Sequence, residues 1–363
     1  MAPIRVLQVM PAMDAGGMET FVMNVYRTID REQVQFDFLY HYDKPCLYDY
    51  EIRALGGQIT KLTVRQDNNL PRYLHELDAF FEAHPEYRII HGHYSGFGIF
   101  YNAAARRHGV PVRVGHSHNT AYEPNLVGRL DKLMSSRFDK DLTDRFACSR
   151  KAGEMLFGQS PFTVLPNGVD TDRFAHPAPD ARPKLREHLG VADDEILLGH
   201  VGRFSVQKNH AGLLRIFAAL LPKMPKARLL LLGGGALEGE TRALAKALGV
   251  ADKVIFAGVR TNVQAFYAAM DAFLLPSLFE GLPVVLVEAQ AAGLPCFVSD
   301  TVDRGAAFAD NVQFLPLHRP QIWAHAIRYT DLTRNPNAQQ QAMDAGFDIH
   351  TSARILQEFY LRR

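Results

Sequence analysis

The chain has 363 residues, which is enough for about two domains. Its 40 basic and 39 acidic side chains leave a formal net charge of +1, which argues against a nucleic-acid-binding surface. Three cysteines are too few for a disulfide framework, and no apolar run approaches the ~20 residues of a membrane span. The N-terminus also lacks the pattern of an export signal. We therefore expect a cytoplasmic protein, which can still touch a membrane surface.

Short apolar runs alternate with helical stretches in the first half of the chain. This alternation predicts a parallel α/β sheet whose strands are buried on both faces. The predicted strands are Ile4–Met10, Phe36–Tyr40, Arg88–His91 and Val112–His116. The predicted helices are Met18–Ile29, Leu70–Ala83 and Gly98–His108.

The same alternation returns after Asp170, so we expect a second lobe and a cleft between the two lobes. The proline-rich segment Pro177–Pro183 has the composition of a linker. The predicted strands are Ile196–Val201, Arg228–Leu232, Val254–Phe256, Ala272–Leu275 and Cys296–Val298. The predicted helices are His210–Leu221, Glu240–Leu248, Ala265–Met270, Pro283–Ala292 and an amphipathic tail, Ser352–Arg363.

The densest group of candidate functional residues is S-L-F-E-G-L-P-V-V-L-V-E at 277–288. Pro283 fits the first position of a helix, where its missing N–H costs nothing. That helix is apolar nearly all round, so Glu288 is predicted to be a buried carboxylate that needs hydrogen-bond partners. Glu280 precedes the helix N-terminus, whose free N–H groups attract anions, at the sheet edge where ligands usually bind. The alternatives are that Glu280 caps the helix and that Glu288 pairs with an arginine.

A second group, G-H-V-G-R-F-S-V-Q-K-N-H at 199–210, follows a predicted strand. Gly202 permits close backbone approach. Arg203 offers a planar fork of donors and Lys208 a point charge, and both suit phosphate oxygens. Two cations and a helix dipole can neutralise a leaving diphosphate without a metal ion. The alternative is a solvated loop with ordinary surface charges.

Four of the 15 histidines fall in two short motifs, H-G-H at 91–93 and H-S-H-N at 116–119. Both motifs follow predicted strands, so their side chains should line one sheet edge. Histidine is the commonest ligand of transition metals, but no carboxylate or cysteine lies nearby with ligand spacing, so we disfavour a metal site. We prefer a polar lining for a sugar or phosphate. The alternative is that some of the four are structural.

Two further stretches carry weaker signals. Gly16 and Gly17, in D-A-G-G-M-E-T at 14–20, predict a loop that tolerates an anion or approaches a ligand closely. Neither this loop nor L-L-G-G-G at 231–235 has the G-x-G-x-x-G pattern, and no P-loop motif occurs. A dinucleotide oxidoreductase and a P-loop enzyme are therefore disfavoured. The basic amphipathic stretch Leu126–Lys140 suits a helix packed on its own lobe, with anionic lipid as the alternative partner.

The ordered motifs resemble those of one enzyme family. They are G-G-M-E-T, H-S-H-N, F-A-C-S, L-P-N-G-V-D-T-D-R-F, V-G-R-F-S-V-Q-K-N, F-A-G-V and P-S-L-F-E-G-L-P-V-V-L-V-E-A-Q-A-A-G-L-P, spread over residues 4–300. In this order they are similar to those of the retaining GT-B glycosyltransferases of family four, the glycosyl transferases group 1. Within that family the chain looks most like bacterial enzymes of capsular and exopolysaccharide assembly.

The resemblance implies an α/β fold of GT-B type, in which two Rossmann-like lobes with parallel sheets face each other across a cleft. The implied division is an acceptor-side lobe at 1–170 and a lobe at 171–345 that binds the nucleotide-sugar donor. A C-terminal helix at 346–363 is expected to pack back on the first lobe.

The resemblance also implies roles for matched residues of the second lobe. Glu288 matches the glutamate that holds the nucleotide ribose, and Glu280 matches the one that contacts the donor sugar. Arg203 and Lys208 match the basic pair that binds the diphosphate and stabilises the departing nucleotide. The backbone of Gly281, Leu282 and Pro283 is implied to lie against sugar and diphosphate. The resemblance places Gly258, Val259 and Arg260 where the family usually holds the base.

In the first lobe, Gly16 and Gly17 match a loop close to the phosphate and the acceptor. His118 best matches the histidine beside the transferred sugar, with His116 as its rival. The catalytic candidates are therefore Glu280, His118, Arg203 and Lys208.

The implied reaction transfers a hexose-type sugar from a nucleoside diphosphate to an acceptor hydroxyl, with retention of configuration and with no metal or resident cofactor. We expect a UDP-sugar rather than a GDP-sugar donor, a saccharide or lipid-linked saccharide acceptor, no nucleic acid partner, and peripheral contact with the inner membrane. One departure leaves the donor sugar open, since S-D-T-V-D-R-G at 299–305 replaces a glycine-rich loop of many relatives. The alternatives are another GT-B enzyme, such as an epimerase or a phosphorylase, and a non-catalytic two-lobed sugar-binding protein.

Overall fold

The computed structural model describes residues 2–14, 16–63, 69–93, 96–119, 126–135 and 137–363. The chain divides into two compact units. The first unit comprises Met1–Gly168 together with Ile349–Arg363, and the second comprises Val169–Asp348.

The first unit is built on a parallel sheet. Its strands are β1 (Ile4–Met10), β2 (Val34–Tyr40), β3 (Ile59–Lys61), β4 (Ile89–Gly92), β5 (Val112–Ser117), β6 (Asp144–Ala147) and β7 (Thr163–Val164). Its helices before residue 168 are α1 (Gly17–Thr28), α2 (Asp49–Ala54), α3 (Leu70–Ala83), α4 (Gly98–Arg107), α5 (Leu126–Ser135) and α6 (Arg150–Phe157). In the described part of the chain, the strand order is β3-β2-β1-β4-β5-β6-β7.

The second unit carries a second parallel sheet. Its strands are β8 (Ile196–Val201), β9 (Ala227–Leu232), β10 (Val254–Gly258), β11 (Ala272–Leu275), β12 (Cys296–Ser299) and β13 (Val312–Leu315), in the order β10-β9-β8-β11-β12-β13. Its helices are α7 (Thr171–Ala175), α8 (Ala181–His188), α9 (His210–Leu220), α10 (Glu238–Ala247), α11 (Val263–Ala269), α12 (Val284–Ala291), α13 (Pro320–Tyr329) and α14 (Ala338–Asp344). The last helix, α15 (Ile349–Leu361), belongs to the first unit.

Apolar strands buried between helix layers form the core of each unit. In the first unit, β2 is buried along its whole length and pairs with β1 from Ile4 opposite Val34 to Met10 opposite Tyr40. Leu356 and Tyr360 of α15 lie in the same hydrophobic cluster as these strands. The C-terminal helix therefore completes the core of the first unit. The predicted parallel α/β organisation of both halves is confirmed.

The proline-rich segment at 177–183 is not a linker, and that prediction is wrong. Helix α8 begins at Ala181, so Pro183 lies in its first turn, where a proline costs no hydrogen bond. Arg182 and Arg186 of α8 contact the Asp271 carboxylate at 2.6 and 3.2 Å and donate to the last carbonyl groups of α11. Guanidinium groups are favoured there because the C-terminus of a helix carries partial negative charge. This segment is thus packed into the second unit.

Two local predictions also need correction. Pro283 precedes α12 as its N-cap, with an extended ψ of 102°, rather than being the first helical residue. The stretch Leu126–Lys140 is not one helix, since α5 ends at Ser135 and Phe138 lies buried in a separate 3₁₀ turn. Phe138 fills space against Gly98 and Gly115, where a Cβ atom would collide with its ring. Burial of this aromatic ring outweighs continuation of a surface helix.

Both sheets reverse their strand order at one point, between β1 and β4 and between β8 and β11. Ligands of parallel sheets bind beyond the carboxyl ends of the strands at such points. The loops that follow β1, β4, β8 and β11 are therefore where functional side chains are expected. Across the described residues, no helix has the length and apolar character needed to cross a bilayer.

Candidate functional site

The two motif loops of the second unit meet at its switch point. The backbone N–H of Leu278, after β11, donates to the carbonyl of Gln207, after β8, at 2.8 Å. The Asn209 amide adds a second link by donating to the Pro276 carbonyl at 3.0 Å, while its Oδ1 caps α9 by accepting from the Gly212 N–H. Asn209 has a φ of 53°, a left-handed conformation that asparagine tolerates better than most residues. The loop after β8, which carries Lys208, and the loop after β11, which carries Glu280, are thus held together.

Lys208 and Glu280 form an ion pair across these loops. The distance from Lys208 Nζ to Glu280 Oε1 is 2.6 Å, and the two side chains are only 15% and 7% exposed. The Gln207 amide donates to the other carboxylate oxygen at 3.2 Å. The structure thus brings two predicted site residues, Glu280 and Lys208, into direct contact. A cation and a carboxylate lie side by side just before the N-terminus of α12.

Glu288 is the buried carboxylate of this region. It is 5% exposed, and the Tyr267 hydroxyl donates to its Oε2 at 2.8 Å. Burial raises the pKa of Glu288 to about 7, while the Tyr267 hydrogen bond and the Lys208 charge act in the opposite direction. The alternative of an arginine partner is wrong, since the hydrogen bond comes from a tyrosine.

Three glycines after β9 allow the loop that carries Arg203 to approach the end of β9. A Cβ atom at Gly233 would lie 2.1 Å from the Gly202 carbonyl oxygen, and one at Gly235 would lie 2.6 Å from the Phe204 carbonyl oxygen. The Phe204 N–H donates to the Gly234 carbonyl at 3.0 Å. This packing leaves Arg203 exposed on the loop. The glycines at 233–235 thus have a structural reason that the sequence motif did not show.

Neighbouring histidines do not add to the positive charge of this loop. His200 and His210 are buried on either side of it. Burial lowers the pKa of His200 well below its usual range and that of His210 to about 4. Both rings are neutral at physiological pH. Lys208 and Arg203 are therefore the cationic side chains that this loop offers to a ligand.

The remaining predicted donor-side positions lie around the same sheet edge. Gly258 ends β10 with a φ of 71°, next to a shift in strand register, and Val259 and Arg260 follow it on the surface. Leu282 and Pro283 are buried beside half-buried Gly281. Contacts from these positions to base, sugar and diphosphate stay a prediction.

The four histidines of the H-G-H and H-S-H-N motifs form two hydrogen-bonded rows beyond β4 and β5. In one row, His93 Nε2 lies 2.8 Å from Gln8 Oε1, and His93 Nδ1 lies 2.9 Å from His118 Nε2. His118 Nδ1 lies 3.2 Å from Asn167 Oδ1. In the other row, Tyr360 Oη, His91 and His116 follow one another at 2.5 and 3.2 Å. The motifs do converge, as the sequence predicts.

The stacking of these rings favours hydrogen bonding over metal binding. Nitrogens of His91, His93 and His116 lie within 4.8 Å of one another. However, the His91 and His93 rings stack at 4.5 Å with a 10° interplanar angle, so their lone pairs run nearly parallel instead of converging on one ion. Burial lowers the pKa of His91 to about 3 and that of His118 to about 4, which keeps these rings neutral.

The structure distinguishes His118 from His116, the two candidates for the predicted histidine beside the transferred sugar. His118 is half-buried, and both of its ring nitrogens face protein partners. His116 Nε2 has no hydrogen-bond partner among the described residues, but its ring is buried. The choice of His118 stays a prediction, and contact with a sugar would require it to exchange one of its partners.

The glycine loop of the first unit lies close to an acidic side chain. Gly16 is the N-cap of α1, and a Cβ atom there would lie 2.2 Å from a Glu19 carboxylate oxygen. A carboxylate in the first turn is favoured by the helix dipole. Approach of a phosphate to Gly16 and Gly17 stays a prediction. A phosphate bound there would lie close to the negatively charged Glu19 side chain.

Comparison with known proteins identifies the family. The family model of glycosyl transferases group 1 matches residues 181–342, and that of glycosyltransferase family 4 matches residues 15–173. The chain is 38% identical to EpsF of Bacillus subtilis (strain 168), named as a glycosyltransferase, over 98% of this chain and 96% of that protein. The chain belongs to the glycosyl transferases group 1, of glycosyltransferase family 4. The resemblance drawn from the sequence motifs is confirmed.

Further relatives of this glycosyltransferase agree with that assignment. An Escherichia coli protein named UDP-Gal:alpha-D-GlcNAc-diphosphoundecaprenol alpha-1,3-galactosyltransferase is 29% identical over 59% of this chain and 58% of its own length. The crystal structure of Anabaena HepE in complex with UDP and glucose matches with a TM-score of 0.80 at 20% identity, covering 98% of this chain and 99% of that one. The predicted GT-B class of the glycosyltransferase is confirmed.

Sequence reasoning missed the residues that hold the candidate side chains in place. No role was predicted from the sequence for Tyr267, Gln207 or Asn209, yet they bind Glu288, Glu280 and the Pro276 carbonyl. Two signals were available. An asparagine directly before a helix is a common N-cap, and a tyrosine on an apolar helix must place its hydroxyl on a partner.

Proposed function

We propose that this glycosyltransferase transfers a hexose-type sugar from a UDP-sugar to a hydroxyl of a saccharide or lipid-linked saccharide, in the assembly of a bacterial polysaccharide or glycolipid. The observation that carries the proposal is the junction of Lys208, Glu280 and the start of α12 beside buried Glu288. This set offers cationic and N–H donors for a diphosphate and carboxylate acceptors for hydroxyls. The galactosyltransferase and HepE names support a UDP-linked donor.

The proposed reaction proceeds with retention at the anomeric carbon and without a metal ion. The bond from the anomeric carbon to the diphosphate oxygen breaks, the acceptor oxygen bonds to that carbon on the same face, and the acceptor's proton passes to the leaving phosphate oxygen. Negative charge therefore grows on the diphosphate, where Lys208, Arg203 and the N–H groups of α12 stabilise it. Glu280 binds hydroxyls of the sugar, and Glu288 binds the ribose.

The histidine rows fit a polar lining better than a general base. Their lowered pKa values make His91 and His118 weak bases at physiological pH. In this proposal, His118 contributes a neutral hydrogen bond to the transferred sugar, and Gly16 and Gly17 face the phosphate and acceptor. We also propose a cytoplasmic protein in peripheral contact with the inner membrane, which co-sedimentation with anionic vesicles tests.

Acceptor-dependent release of the nucleotide tests this function. Purified protein is supplied with UDP-, GDP- or ADP-sugars and a lipid-linked saccharide extract, and the products are analysed by NMR. We expect UDP to appear only with acceptor, an anomeric coupling constant equal to that of the donor, and an unchanged rate in EDTA. Epimerised donor without UDP would indicate an epimerase, and a sugar phosphate would indicate a phosphorylase. Loss of activity in EDTA that Mg²⁺ restores would overturn the metal-free mechanism.

A further inference from the structure

Tyr267 is held rigidly by contacts that do not involve its hydroxyl. Its side chain is fully buried, and its ring packs against Phe174 and Phe273 at centroid distances of 5.5 and 5.7 Å. Arg334 donates to its backbone carbonyl at 2.8 Å. The phenol oxygen therefore stands at a fixed place before any ligand arrives. It lies 2.8 Å from Glu288 Oε2 and 3.1 Å from the Val285 carbonyl oxygen.

The Tyr267 hydroxyl has one proton, and it donates that proton in a hydrogen bond to the Glu288 carboxylate rather than to the Val285 carbonyl. A carboxylate oxygen is a stronger acceptor than a backbone carbonyl, and here it is also the closer one. Glu288 Oε1 has no hydrogen-bond partner among the described residues, and this oxygen is partly exposed rather than fully buried. One oxygen of the carboxylate is thus engaged by the protein, and the other is left with its lone pairs for a ligand.

We propose that Tyr267 is a positioning residue that reserves Glu288 Oε1 for the two hydroxyls of a ribose, so that the site selects ribonucleotides over 2′-deoxyribonucleotides. This inference rests on the proposed function, since it takes Glu288 as the ribose-binding residue. Two vicinal hydroxyls can donate to a single carboxylate oxygen, which has two lone pairs. Without the phenol, the carboxyl group gains freedom to rotate and loses the donor that holds its charge.

Isothermal titration with UDP and 2′-deoxy-UDP tests the proposal. For the wild-type protein we expect 2′-deoxy-UDP to bind about tenfold more weakly than UDP, the effect of about one hydrogen bond to a charged group. Tyr267→Phe keeps the buried ring. It should raise the Kd of UDP about fivefold and that of 2′-deoxy-UDP less than twofold, so that most of the discrimination is lost. The matched control is Tyr73→Phe, another buried tyrosine, whose hydroxyl bonds His41 in the first unit.

The outcomes separate this inference from the proposed function. A wild-type protein that binds none of UDP, GDP and ADP would overturn the proposed function itself. Binding of UDP by the wild type with equal Kd values for UDP and 2′-deoxy-UDP would overturn the ribose inference alone. The same holds if Tyr267→Phe retains the wild-type Kd values and discrimination. The wild-type comparison needs no variant, so it tests the ribose selection at Glu288 even if Tyr267→Phe fails to fold, while the role of Tyr267 itself is tested by the variant.

Discussion

Glu288→Gln should make the protein more stable at about pH 8 while lowering glycosyl transfer at least tenfold, or ~1.4 kcal/mol. Burial raises the pKa of this carboxyl from 4.5 to about 7 in the folded protein. Between these values the folded state binds more protons than the unfolded state, so the free energy of unfolding falls as the pH rises. Above about pH 7 the ionised group costs on the order of 3 kcal/mol. Glutamine retains an acceptor for Tyr267 without the charge.

Thermal unfolding of the wild type and Glu288→Gln across pH measures this effect. The stability difference should be largest near pH 8, should shrink as the pH falls from about 7 to about 4.5, and should vanish below about 4.5, where the carboxyl is protonated in both states. Glu187→Gln is the matched control, because Glu187 is an exposed glutamate in helix α8 of the same unit. A variant that is less stable at every pH, or one with an undiminished transfer rate, would contradict the role given to Glu288.

Lys208→Met should lower both stability and activity, and a second substitution should restore only the stability. Removing the lysine takes the Lys208 ammonium group away from the nearly buried Glu280 carboxylate, which costs about 3–5 kcal/mol. Lys208→Met combined with Glu280→Gln replaces the ion pair by groups of similar volume, so most of the lost stability should return. Transfer should stay at least tenfold below the wild type in both variants, because the diphosphate has lost its cation.

Chemical denaturation and initial rates of Lys208→Met, of Glu280→Gln and of the double variant complete this double-mutant cycle. If Lys208→Met keeps the wild-type rate, Lys208 does not act on the donor. If the double variant regains the rate together with the stability, the ion pair serves folding alone.

Much of the fold follows from local sequence patterns. The strands β1, β8 and β11 begin and end at the predicted residues because each is a short apolar run buried on both faces. By contrast, β7 is a two-residue exposed strand, and β3 has no fully buried residue. Such strands exist because a neighbouring strand offers them hydrogen bonds. Their own side chains show no alternation of apolar and polar residues from which the sequence could predict a strand.

The candidate site was predictable in its charged residues but not in their partners. Glu280 and Lys208 stand in loops after adjacent strands, so their convergence follows from parallel topology. The Tyr267–Glu288 bond joins two helices and depends on their packing, which no local motif specifies. The histidine rows depend on Gln8, Asn167 and Tyr360, which come from distant parts of the chain.

A structure of the protein with UDP bound is the most direct test of the central claim. We predict diphosphate oxygens within hydrogen-bond distance of Lys208, of Arg203 and of the backbone N–H groups at the start of α12, with the ribose hydroxyls on Glu288. UDP bound away from the loops that follow β8 and β11, or a ribose that does not contact Glu288, would contradict the account.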